Sequence, residues 1–176
     1  MHQRKVIEIP LSKGKLVKGL VTSIVFVAAG AWILLDESVT ARGPLSVAGL
    51  RYLIGVAAIV VFAALGILYL FKLQDKKPGF VIDENGIIDN SGALAAGFVP
   101  WTDIRQFSTV KLMKQEFLVI EVRNPLYYIH QQKGILKKKG MQYNFKNYGS
   151  PIAISTNTLK CKLPELLTML EERNEA

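Results

Sequence analysis

The chain has 176 residues, half of them apolar, and carries a net charge of +8. One cysteine excludes an internal disulfide, and His2 and His130 are too few and too far apart to suggest a histidine-based metal or catalytic centre. Charge and apolarity are unevenly spread: Met1–Lys77 holds ten Lys/Arg against four Asp/Glu, a net +6, and Pro78–Ala176 holds twelve against ten, a net +2. The basic balance therefore sits beside the apolar runs, where it bears on topology and headgroup contact. A nucleic-acid partner, which needs a basic face on the folded domain, is not expected.

Residues 1–15 read as a basic N-terminal segment. Leu16–Leu35, LVKGLVTSIVFVAAGAWILL, carries no charge between Lys18 and Asp36, a run of 17 residues at the short end of a spanning helix. Tyr52–Phe71, YLIGVAAIVVFAALGILYLF, is 20 residues without a charge, about 30 Å of helix at ~1.5 Å per residue and thus a match to the hydrocarbon thickness. Two all-round apolar helices in so short a chain leave too little protein to bury them, so the pattern predicts a two-span transmembrane hairpin over residues 16–73, with spans near 16–35 and 52–73. A cleaved signal ending at Val39-Thr40-Ala41 fits less well, because the apolar run is long and Asp36 and Glu37 separate it from that site. Trp32, Tyr52 and Tyr69 stand near the ends of the runs, where aromatic rings anchor at the interface.

Arg4, Lys5, Lys13, Lys15 and Lys18 precede the first run and Lys72, Lys76 and Lys77 follow the second, whereas Arg42 and Arg51 alone lie between them. The positive-inside rule then predicts a multi-pass protein of the inner (cytoplasmic) membrane with both termini in the cytoplasm and a short outer loop turning at Gly43-Pro44. Gly30, Gly55, Ala58 and Gly66 allow close helix approach. No ionisable group lies mid-span, which argues against an ion or proton pathway.

Beyond the polar linker Gln74–Pro78 the pattern changes to short β runs. Strands are predicted at Gly79–Ile82 and Ile87–Asn90 around an Asp83-Glu84-Asn85-Gly86 turn, then at Phe98–Trp101, Ile104–Met113, Phe117–Val122 and Pro151–Ser155. In Ile104–Met113 the expected apolar contributors are Ile104, Phe107, Val110 and Leu112. Leu126–Gln131 reads equally as strand or loop. Lys133–Asn147 is basic and contains glycine, and is expected to be a loop or an edge. Leu159–Leu163 alternates as a half-buried strand, with Cys161 a small buried or half-buried residue. Pro164–Asn174 is expected to be a helix, with Leu163, Leu166, Leu167 and Leu170 on one apolar stripe. The result is an α+β protein in which residues 78–176 form one small domain closed by a C-terminal helix.

The opening Ile7-Glu8-Ile9-Pro10-Leu11-Ser12-Lys13, the hairpin GFVIDENGIIDNS, the element Pro100-Trp101-Thr102-Asp103-Ile104 and the element Tyr148-Gly149-Ser150-Pro151-Ile152 resemble a group of small bacterial two-span proteins. Their cytoplasmic domain is similar to pleckstrin-homology (PH) domains. The resemblance covers nearly the whole chain. It implies a seven-stranded, strongly bent sheet capped by a C-terminal helix, and it carries no settled activity.

Chemistry is sparse. No His/Cys/Asp cluster has metal-ligand spacing, no phosphate-binding glycine loop is present, and Asp83, Glu84 and Asp89 read as turn formers rather than a calcium loop. Asp103 is expected to accept backbone N–H groups in a turn. No catalytic residue, cofactor or metal is expected, and the chain is not expected to be an enzyme. The one notable stretch is Lys133, Lys137, Lys138, Lys139 and Lys146, interleaved with Tyr143, Phe145 and Tyr148, which suits anionic lipid headgroups or else is a solvated surface. The expected function is a membrane-anchored binding or scaffolding protein whose partners are the bilayer, anionic headgroups and a protein of unknown identity. The alternative is a regulatory or assembly subunit recognised through its spans.

Overall fold

In the computed structural model, residues 6–36, 48–112 and 115–174 are described. The chain divides into two compact units: Lys13–Asp75, and a second made of Met1–Ser12 together with Lys76–Ala176. The protein is α+β, with two long apolar helices followed by a sheet-rich region.

The first unit is a pair of helices, α1 (Lys13–Leu35) and α2 (Ala48–Gln74). Both are long and apolar enough to cross a membrane, and only 17% and 11% of their most apolar stretches are buried. They pack antiparallel through small residues. A Cβ on Gly30 would stand 3.0 Å from the Gly55 carbonyl oxygen, and one on Gly66 3.6 Å from Ser23. Phe26 and Phe62 stack with ring centroids 4.3 Å apart. Gly19, which the composition of the run does not single out, accommodates the ring of Tyr69, only 2.5 Å from where its Cβ would lie. At the far end Arg51 donates to the Leu34 carbonyl at 2.6 Å, covering an acceptor that the end of α1 leaves without a helical partner. The turn expected at Gly43-Pro44 lies outside the described residues.

Among the described residues the second unit has seven strands in two sheets. The first has the order β1 (Ile7–Ile9), β2 (Phe80–Ile82), β3 (Gly86–Asp89) and β4 (Gly97–Pro100), antiparallel throughout. The second has the order β5 (Ile104–Leu112), β6 (Gln115–Val122) and β7 (Ile152–Ile154), also antiparallel. The inward positions Ile9, Phe80, Ile82, Ile87, Val99, Leu118, Ile120 and Ile152 form the core, each side chain stabilising by about 1.5–3 kcal/mol when fully buried. Between β6 and β7 lie α3 (Pro125–His130) and α4 (Ile135–Tyr148), and α5 (Leu163–Asn174) closes the chain against β6. Leu163, Leu166 and Leu170 are its buried stripe.

Four expectations need correction. The segment expected over residues 1–15 is not separate where it is described: Ile7–Ile9 is an edge strand of the first sheet, paired Ile7 to Ile82 and Ile9 to Phe80, residues 13–15 already belong to α1, and residues 1–5 lie outside the described residues. Leu126–Gln131 is neither strand nor loop but is largely α3, because Asn124-Pro125 starts a helix: the Asn124 side chain accepts from the Tyr127 N–H at 3.3 Å and Pro125 takes the first helical turn. Lys133–Asn147 is mostly α4. Its Gly140 is not a breaker but a contact, since a Cβ there would meet Leu94 at 2.6 Å, and Gly149, at φ 77°, ends the helix. Leu159–Leu163 forms no strand. Its alternation is a true burial pattern, with Leu159, Cys161 and Leu163 inside, but its backbone follows the 3-10 turn Thr156–Thr158 and makes only an isolated bridge, Leu159 opposite Leu11 with the Lys160 N–H donating to the Pro10 carbonyl, instead of a ladder.

The strand β5 buries Ile104, whereas Leu112 is 46% exposed. A register shift between Ile104 and Gln106 changes the face on which later residues point.

Candidate functional site

The lysines singled out above gather around α4. Lys133 precedes Gly134, which begins the helix; Lys137, Lys138 and Lys139 follow in its first turns; Lys146 stands near its end. Lys133, Lys139 and Lys146 are exposed, and Lys137 and Lys138 are half-buried. Lys139 and Lys146 are seven residues apart and share a face, about 10 Å from one another along the axis at ~1.5 Å per residue. Leu136 and Tyr143 lie on the same stripe at helical spacing. The opposite stripe holds the helix down: Met141 is fully buried, and Asn144 donates to the Pro151 carbonyl at 3.3 Å.

What the sequence did not single out is the pair at the start of this helix. Ile135 is 75% exposed and Leu136 is 86% exposed. The signal was present in the string Lys133-Gly-Ile-Leu-Lys-Lys-Lys139, two large aliphatic residues among lysines, but only the helix turns them outward. No Asp or Glu occurs between Glu121 and Glu165, so nothing acidic in that stretch offsets the lysines.

A second feature lies at the edge of the first sheet. Ala96–Phe98 and Pro100 of the β4 region, Asp103, and Tyr127, Tyr128, Gln131 and Gln132 in and just after α3 line a cleft of about 550 Å³. Asp103 does not serve as a turn acceptor through its side chain: its Oδ2 accepts the Tyr128 hydroxyl proton at 2.6 Å, while its backbone carbonyl accepts from the Arg123 N–H. Burial, with the Asp103 carboxylate beside it, pushes the Tyr128 phenol well above the ordinary tyrosine range, so it stays a donor. Tyr127 meets Tyr128 edge-on at 5.5 Å and is itself 51% exposed, as is Phe98.

Several polar residues outside these two places make turns and caps. Asp83 accepts from the N–H groups of Asn85 and Gly86, and Asp89 from Ser91 and from the Ala96 N–H, as turn formers do. The Ser150 hydroxyl is fully buried and donates to the Ile120 carbonyl, and Ser155 caps a turn by accepting from the Asn157 N–H. Cys161 is buried. Among the described residues no group of three or more His, Cys, Asp or Glu is placed to hold a metal.

On the helix pair, Trp32 is 61% exposed and donates to Asp36 at 2.8 Å, and Tyr52 is 55% exposed with the Arg51 guanidinium 5.4 Å from its ring centroid. Tyr69 differs from them, because its ring fills the space over Gly19 between the helices. Comparison with protein-family models, with curated proteins and with solved structures returned no match.

Proposed function

We propose that this chain is a membrane-anchored, non-enzymatic binding module of a bacterial inner membrane, which presents a PH-like domain at the cytoplasmic face and rests the lysine face of α4 on anionic headgroups. Three features support the reading. The helices α1 and α2 have the length and apolarity of spans, and the Lys and Arg in their flanks favour cytoplasmic termini by the positive-inside rule. Seven antiparallel strands, in two sheets of four and three, followed by a C-terminal helix agree in number with the strands and cap that the PH resemblance implies. The observation that carries the lipid contact is the start of α4, where exposed Ile135 and Leu136 sit among lysines.

The energetics favour a surface of this composition. Each lysine near an anionic leaflet contributes about 1 kcal/mol, and burying an aliphatic side chain contributes about 1.5–3 kcal/mol. Anchoring by the spans makes the contact intramolecular, so a modest free energy suffices to keep it engaged. The apolar pair is the part a solvated lysine loop would lack.

The test uses the full chain in nanodiscs, with Cys161→Ser and Leu136→Cys carrying an environment-sensitive fluorophore. Discs containing phosphatidylglycerol should shift the emission to the blue and bring the probe within reach of spin-labelled acyl chains. Replacing Lys137, Lys138 and Lys139 with Gln, or raising the salt, should reverse both changes. Emission that is the same in anionic discs, neutral discs and detergent would refute the contact.

A further inference from the structure

We propose that the cleft between the free edge of β4 and α3 binds an extended peptide segment carrying a basic side chain. This is a second site, separate from the lysine face of α4, and it does not depend on the lipid contact.

The backbone supplies the first argument. β4 is the last strand of its sheet, so one of its edges has no strand beside it. The Trp101 N–H bonds to the Asn85 carbonyl on the β3 side. Backbone direction alternates along a strand, so Val99 and Gly97 also face β3, and Phe98 turns both its N–H and its C=O the other way. Pro100 falls on that outward phase, where its missing N–H removes no ladder bond. Phe98 and Pro100 both line the cleft. Outward-facing groups on a bare sheet edge are a template for one more strand, and recognition by strand addition uses them.

Charge supplies the second. The domain is basic overall, yet among the described residues the only charged side chain lining this cleft is Asp103. One of its oxygens holds the Tyr128 hydroxyl. Among the described residues the other accepts no hydrogen bond, and no Lys or Arg lies within ion-pair distance. The half-exposed rings of Phe98 and Tyr127 border the same space. A carboxylate without a cation beside aromatic rings suits an ammonium or guanidinium whose methylene stem lies along them. The volume, about 550 Å³, falls within the usual range for ligand sites of about 300–1,000 Å³.

The experiment is fluorescence polarisation on the full chain in nanodiscs. The probe is a labelled, end-blocked pentapeptide Thr-Val-Lys-Val-Thr, compared with its central-Glu counterpart. The Lys peptide should bind saturably, and at least about tenfold more tightly than the Glu peptide. Asp103→Asn should weaken the Lys peptide about tenfold and abolish the preference. Because that variant also loses the bond to Tyr128, Gln131→Lys, at an exposed position on the wall, serves as the second variant and should weaken the Lys peptide in the same direction. N-methylation of the amides at even positions or at odd positions separates strand addition from simple charge pairing. One set should be tolerated and the other should abolish binding. Loss with both sets or with neither overturns the strand-addition geometry. Equal affinity for the Lys and Glu peptides, or no saturable binding up to about 1 mM, overturns the site.

Discussion

The two units use similar apolar residues in opposite ways. In the helix pair the large side chains point outward: Val21, Ile24, Leu53, Val60 and Phe71 are among the exposed residues, and the contact between helices is made by glycines, a serine and stacked Phe26 and Phe62. In the sheet unit Phe80, Ile82, Ile87, Leu118 and Ile120 point inward and the outward positions are mostly polar or charged. The first arrangement suits surroundings as apolar as the helices themselves, where close packing and not exclusion of water holds them together. The second is driven by burial from water. An exposed leucine is therefore ordinary on α2 and conspicuous on α4, which is why the proposed lipid contact uses Leu136.

The sharpest way to break this contrast is to remove β1. A fragment of residues 78–176 loses the ladder to β2 and the buried Ile9 and Leu11, worth about 3–6 kcal/mol at ~1.5–3 kcal/mol each against a typical total of about 5–15. It should show no cooperative melt by circular dichroism. The same fragment with residues 6–12 joined through a flexible linker should melt cooperatively. Equal behaviour of the two would mean that the sheet unit closes without its N-terminal strand.

Leucine-to-alanine changes compare the two solvents directly. Leu166→Ala in α5 should cost about 2–5 kcal/mol, read from denaturant unfolding of the full chain in micelles. Leu68→Ala on the outer face of α2 should change the unfolding of the helix pair by less than about 0.5 kcal/mol. Comparable losses would place Leu68 in an interface.

Overpacking should be felt at the helix contact. Gly30→Leu forces atoms into the Gly55 backbone and should cost about 1–3 kcal/mol. The measure is disulfide formation between Phe26→Cys and Phe62→Cys in a Cys161→Ser background, which should fall when Gly30 is replaced.

The smallest effect is in alkali. The Tyr128 phenol is held above its unfolded value of about 10, so the folded state keeps the proton longer than the unfolded chain does. The stability from this group is present in full below about pH 10 and is lost as the pH rises through the folded value. Tm should be flat up to that point and then fall, and fall less steeply in Tyr128→Phe. A Tm independent of pH to the alkaline limit would mean that the phenol is not held in its protonated form.

Much of the architecture was legible from residues alone because it rests on local pattern. The two apolar runs, the hairpin at Asn85-Gly86, the strand around Phe117–Val122 and the C-terminal helix each carry a periodicity or a turn residue within a short window. Even where Leu159–Leu163 lacks a ladder, its alternation identified which side chains go inside. The misread elements depend on contacts distant in sequence. Ile7–Ile9 is a strand because Phe80–Ile82 lies beside it, and Gly140 is tolerated in a helix because Leu94 packs where its side chain would be.

The candidate sites divide the same way. The sequence by itself determined the lysines and the absence of acidic residues around them, since composition and spacing are properties of the chain. Only the tertiary structure decided that those lysines ride on a helix, that Ile135 and Leu136 project from its start, and that Asp103 meets Tyr128 in a cleft beside an open strand. The physical reason is that exposure and sheet edges are defined by what packs against a residue, and the partners of α4, of Asp103 and of β4 come from other parts of the chain.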